Sequence, residues 1–174
     1  MNNMILGTLL CAASLFAQSV ADPRLDEGKL HWIQPGLTTQ QVQKLLGPPH
    51  ISAVFGNEFL SWQYKLGGDP HDPSHMLVFR RGTGRLVSIT RIYETDQSVA
   101  EFFPPAQSEM FTHEGNPSQP YPVLLRRLPQ ECFLLAMGAT RQRLITSQLI
   151  LVDREGLSVF HSWLPPLLEK PVRP

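Results

Sequence analysis

The chain has 174 residues, with 15 Lys and Arg against 15 Asp and Glu, a balance that excludes a polybasic nucleic-acid arm, an acidic tail and a large multidomain enzyme. Apolar residues make up 42% and charged residues 17%, enough to pack a core, while 16 Pro and 12 Gly promise many turns and argue against a helical bundle. Residues 22–100 carry eight basic and eight acidic side chains and residues 101–174 seven of each, so neither half has the one-signed field that steers a protein to nucleic acid.

Residues 1–21 read as a signal peptide. They hold no charged side chain, run apolar from Met4 to Ala17 and end on Ser19-Val20-Ala21, small at the two positions a signal peptidase inspects. The run is shorter than the ~20 residues of a membrane span, so the mature form is expected to have none. Leu10 stands where a lipobox needs a small residue, which argues against lipid anchoring at Cys11. Cleavage near Ala21 leaves a chain of roughly 150 residues, a size that buries about 70% of its unfolded surface. Cys132 is then the lone thiol, within Cys132-Phe133-Leu134-Leu135-Ala136, and reads as a small buried hydrophobe.

The best local signal lies at residues 36–49. Thr38 and Gln41 have capping-box spacing, and Val42, Leu45 and Leu46 recur on one helical face, with Leu37 placed to staple onto Val42. Gly47 supplies a left-handed stop, and Pro48-Pro49 prevent continuation. Three strands are predicted next: Glu58–Lys65, with Trp62 and Tyr64 on one side, then Met76–Arg80 and Leu86–Tyr93 around a hairpin loop at Gly82-Thr83-Gly84. One-sided burial against the helix is the expected packing, with Trp62 and Tyr64 in the core beneath it.

Residues 101–129, with Pro104, Pro105, Pro117, Pro120 and Pro122, read as a Pro-rich connector, although Val123–Leu128 is strand-like. Residues 130–174 read as a mainly β region: Cys132–Met137, then a hairpin of Leu149–Val152 and Leu157–Phe160, then an extended Pro-rich tail. Gly138 to Leu144 faintly echoes the spacing of Gly36 to Val42, which keeps a diverged repeat open as an alternative.

Taken together, Gly36-Leu37-Thr38, Gln41-Val42, Leu46-Gly47-Pro48-Pro49, Trp62-Gln63-Tyr64, Leu77-Val78-Phe79 and Gly84-Arg85-Leu86-Val87 resemble, in order and spacing, the BamE (SmpA/OmlA) family of small envelope proteins over residues 30–93. The resemblance implies an α+β fold, with short N-terminal helices packed on a three-stranded antiparallel sheet in a unit spanning residues 22–100. It implies a periplasmic, non-catalytic protein that contacts another envelope protein in outer-membrane or envelope assembly. Gly36, Thr38, Gln41, Val42, Leu46, Gly47, Pro48, Trp62 and Tyr64 are the motif residues it assigns, all structural, with no cofactor and no catalytic group. The same fold in tandem occurs in secreted inhibitors of hydrolases, an alternative that needs exposed aromatic residues on a repeated sheet. A second alternative is a metal-dependent enzyme at His71-Asp72-Pro73-Ser74-His75, where two imidazoles and a carboxylate of Asp69 or Asp72 could meet a cation. Pro70 and Pro73 deny that segment a helix, so a solvated loop is the plainer reading. No nucleophile elbow or phosphate-binding glycine loop is present.

Overall fold

The computed structural model describes residues 33–65, 74–113 and 120–169. Residues 1–21, read above as a signal peptide, His71 and the extreme C-terminus lie outside them.

A helix, α1 (Thr39–Leu46), opens the fold. Its capping box is complete: the Gln41 amide donates to Thr38 Oγ1 at 3.3 Å, and the Thr38 amide donates to Gln41 Oε1 at 2.8 Å. Gly47 ends the helix at φ 81°, ψ −169°, so the stop is the extended positive-φ region, which is essentially glycine's alone, and not the left-handed helical cap expected. Four strands follow as a meander, β1 (Ile51–Phe55), β2 (Phe59–Lys65), β3 (Ser74–Arg80) and β4 (Arg85–Ser98). A second meander contains β5 (Ser108–His113), β6 (Tyr121–Leu128), β7 (Cys132–Met137) and β8 (Ile145–Asp153). Helices α2 (Arg154–Phe160) and α3 (Pro165–Leu168) close the described chain.

The eight strands among the described residues form one antiparallel sheet in the order β1-β2-β3-β4-β8-β7-β6-β5. This overturns the expected three-stranded sheet beneath short N-terminal helices with a separate β region after it. The cause lies in β4, a 14-residue strand whose residues 86–91 are all buried. A strand buried on both faces is a central strand, even with Ser88, Thr90 and Arg91 among its buried residues, and β8 pairs along its far side from Ser88↔Val152 to Ile92↔Gln148. The second half therefore extends the first sheet. β5 falls inside the Pro-rich stretch 101–129, and the Gly138–Leu144 segment lies between β7 and β8, not ahead of a meander.

Two further local expectations are corrected. Leu157–Phe160 is helical, not the return strand of a hairpin, because the Asp153 carboxylate accepts from the Gly156 amide at 2.8 Å and caps a helix start. The tail at residues 165–168 forms a single helical turn, since Pro165 takes a first-turn position where its missing N–H goes unneeded.

Each sheet face has its own core. On the first face, Trp62, Tyr64, Leu77, Ile89, Leu134 and Leu149 lie beneath Val42 of α1 and the segment carrying Val99, Phe102 and Phe103. Leu37, Leu45 and Leu46 pack against that cluster. Full burial of Val42 contributes roughly 1.5–3 kcal/mol. On the second face, Val123, Leu125, Leu135, Ile150 and Val152 meet Leu157 of α2 and Leu164.

Candidate functional site: an open edge strand and its groove

The motif residues converge on the junction of α1 with the sheet. The Gly36 amide donates to the Leu86 carbonyl at 2.7 Å, and Thr38 bridges Arg85, so the helix start is tied to the β3–β4 turn. At the other end of α1 the Tyr64 hydroxyl donates to the Gly47 carbonyl at 3.1 Å. Burial raises the Tyr64 pKa, which keeps the phenol protonated as that donor. Trp62 packs at 4.7 Å between ring centroids against Phe79. Buried in this way, Trp62 and Tyr64 hold α1 on the sheet. Trp62 and Tyr64 are therefore not the exposed aromatic residues that the inhibitor reading needs.

This anchoring determines where the chain goes next. Pro48 and Pro49 carry it from the helix to the sheet margin, and the His50 amide donates to the Gln63 carbonyl at 3.0 Å, aligning β1 against β2. Among the described residues β1 is the first strand of the sheet and pairs only with β2, from Ile51↔Gln63 to Phe55↔Phe59. All five residues are exposed, with Ile51 at 54%, Val54 at 57% and Phe55 at 57%. No charge, Pro or bulge protects this edge, and those are the usual means by which a sheet margin is kept from pairing with another chain. The opposite margin, β5, is guarded: Glu109 sits there in an ion pair with Arg127 at 2.7 Å.

Beside β1, on the second face, runs a groove of about 180 Å³. Its floor is crossed by Ser61 of β2, Met76 and Val78 of β3, Ser88 and Thr90 of β4 and Ile150 of β8. Short hydroxyl side chains on the floor leave the trough, since α2 covers the sheet only farther along. Phe55 and Phe160 line it as a packed pair with ring centroids 6.0 Å apart, and Phe160 also packs on Phe59 at 5.1 Å. His161 lines it as well; burial first, then His113, lowers its pKa and keeps it neutral. A concave, mainly apolar surface with a few hydroxyls beside an unpaired strand is suited to an extended peptide, which pairs its backbone on the edge and sends alternate side chains into the trough.

The sequence reading missed β1. Its signal was present, because Ile51-Ser52-Ala53-Val54-Phe55 lies between a Pro-Pro stop and Gly56-Asn57, a turn pair that joins hairpin strands. The His71–His75 reading also changes. His71, Asp69 and Asp72 lie outside the described residues, and His75 belongs to β3, buried, with its Nε2 accepting from Arg91 Nε at 3.0 Å. Among the described residues no group of three His, Cys, Asp or Glu is placed to hold a metal ion. Cys132 is partly buried, and burial with Asp153 nearby pushes its thiol up to about 11, far from a reactive thiolate. Among the described residues no helix is long and apolar enough to cross a membrane.

Residues 24–74 match the model of the outer membrane protein assembly factor BamE domain. The BamE-like segment thus includes α1, β1 and β2 and ends at the first residue of β3. The resemblance read from the motif set is shown over that span. No curated protein matches the chain. Two solved structures are similar at low identity. One is a cysteine-rich secretory protein from Staphylococcus aureus, 14% identical, with a TM-score of 0.48 over 76% of this chain and 48% of that one. The other is an extracellular protein containing an SCP domain from Bacillus anthracis, 9% identical, with a TM-score of 0.47 over 70% of this chain and 45% of that one. The chain spans about half the length of these proteins or less.

Proposed function

We propose that this protein is a non-catalytic component of the cell envelope, exported to the periplasm, that acts by contact with another protein as an accessory or scaffold in outer-membrane or envelope assembly. The contact surface is the free edge of β1 with the groove beside the Phe55–Phe160 pair, and its occupant is an extended, uncharged segment of the partner. One observation carries the reading: an edge strand inside the BamE-matched segment has no charge and exposes three large apolar side chains. Backbone hydrogen bonds to such an edge give affinity, and the pockets for alternate side chains give selectivity. The apolar leader of residues 1–21 supports export.

The test places a photo-crosslinking amino acid at Val54, or at Met110 on the β5 edge, in cells that carry an outer membrane. An adduct with an envelope-assembly protein from Val54 and none from Met110 is expected. No adduct at Val54, equal labelling from both edges, or a partner outside the envelope would refute the reading.

A further inference from the structure

Across the first face of the sheet one row of paired residues reads Tyr64, His75, Arg91 and Leu149. His75 and Arg91 are each 1% exposed. Arg91 donates through Nε to His75 Nε2 at 3.0 Å, which leaves the imidazole proton on Nδ1. Arg91 Nη1, Arg91 Nη2 and His75 Nδ1 are buried and have no hydrogen-bond partner among the described residues. Arginine stays protonated in proteins, so this is a buried positive charge with the forked end of its guanidinium unused. Buried charges in folded proteins are paired, and buried donors are bonded; two such vacancies on one arginine call for an acceptor.

The position allows one to enter. Ile92, the next residue, pairs with Ser74 of β3 and with Gln148 of β8, and beyond it the β4–β8 register breaks until Gln97↔Thr146. Arg91 therefore lies one residue from a break in the β4–β8 register, and local opening there is easier than in mid-sheet.

We propose that Arg91 and His75 form a binding site for one small monocarboxylate, held by the two Nη groups of the guanidinium. Every unused polar atom of the Arg91–His75 pair is a donor, which excludes a cation held by these two residues and favours a ligand that only accepts. A carboxylate presents two coplanar acceptors that match the guanidinium fork. Charge selects it over phosphate. Burial and Arg91 hold His75 neutral, with a pKa lowered to about 3, so the pair carries one positive charge, which a monoanion balances and a phosphate of nearly two negative charges does not. Nothing in this site depends on the β1 edge.

The test is thermal unfolding of the purified chain in acetate, phosphate or chloride at equal ionic strength, on the native protein and on Arg91→Lys and Arg91→Met. The native midpoint should rise with the logarithm of acetate concentration above that in chloride. Arg91→Met should fold and lose the acetate dependence. Arg91→Lys, which lacks the fork, should bind acetate about tenfold more weakly. Should Arg91→Met not fold, titration of the native Arg91 Nε–H nuclear resonance with acetate decides alone: a saturable shift supports the site and its absence overturns it. A midpoint indifferent to acetate, with Arg91→Met more stable in every buffer, would mean a buried arginine satisfied by water only and would overturn the proposal. A response to phosphate greater than to acetate would overturn the choice of ligand.

Discussion

Gly156, the third residue of α2, provides a test of how tightly that helix is seated on the sheet. A Cβ built on it would meet Val152 Cγ2 at 2.6 Å and the Val87 carbonyl oxygen at 2.7 Å. In an exposed helix, Gly→Ala stabilises by up to about 1 kcal/mol. Here the added methyl has nowhere to go: Val152 is fully buried and stiff at χ1, and Val87 is backbone at the irregularity of β4 opposite Val78/Phe79. Overpacking of this kind costs about 1–3 kcal/mol and outweighs the gain in propensity. For a domain of this size the midpoint of thermal unfolding should fall by about 2–10 °C. Relief by lifting α2 would also displace Phe160 and His161, the wall of the groove. Urea and thermal unfolding of Gly156→Ala against the native protein measure the first effect, and crosslinking from Val54 in the same variant measures the second. An unchanged or raised midpoint would show that α2 is not in close contact with β4 and β8, and the seating argument would fail.

Two other outcomes are expected. Val54→Lys places a charge on the β1 edge; because Val54 is 57% exposed, although paired with Leu60 of β2, stability should stay within about 0.5 kcal/mol while binding of an extended partner is lost, and retained binding would move the contact surface elsewhere. Because His75 has a depressed folded pKa, its contribution to stability is complete above the unfolded value of 6.5 and is lost as pH falls from there toward about 3, with a slope approaching 1.4 kcal/mol per pH unit. His75→Gln keeps an acceptor for Arg91 Nε and does not titrate, so urea unfolding between pH 7 and pH 4 should show a shallower slope in the variant. The comparison separates His75 from His161, whose pKa is also lowered, and equal slopes would remove His75 as the source.

Legibility from sequence followed the range of the interactions involved. The caps of α1 were readable because each acts locally, Thr38 with Gln41 at the start and Gly47 with Pro48 at the end. The alternation of Trp62 and Tyr64 was readable because strand side chains repeat every two residues whatever the partner. The switch of Leu157–Phe160 from strand to helix depended on a single carboxylate, Asp153, and an apolar run that short does not declare its period.

What the residue order alone determined, then, is the α1–Gly47–Pro48 punctuation, the facing aromatic pair of β2 and the BamE-like character of the segment around them. Only the tertiary structure decided that β8 lies against β4, that the sheet has eight strands with β1 at an unguarded margin, and that Arg91 meets His75 with its fork unused. Each of these is a relation between residues 16 to about 60 positions apart, set by strand register and by which strand is buried on both faces. Local propensity carries no information about register or order within a sheet; burial of apolar area across the assembled sheet selects both.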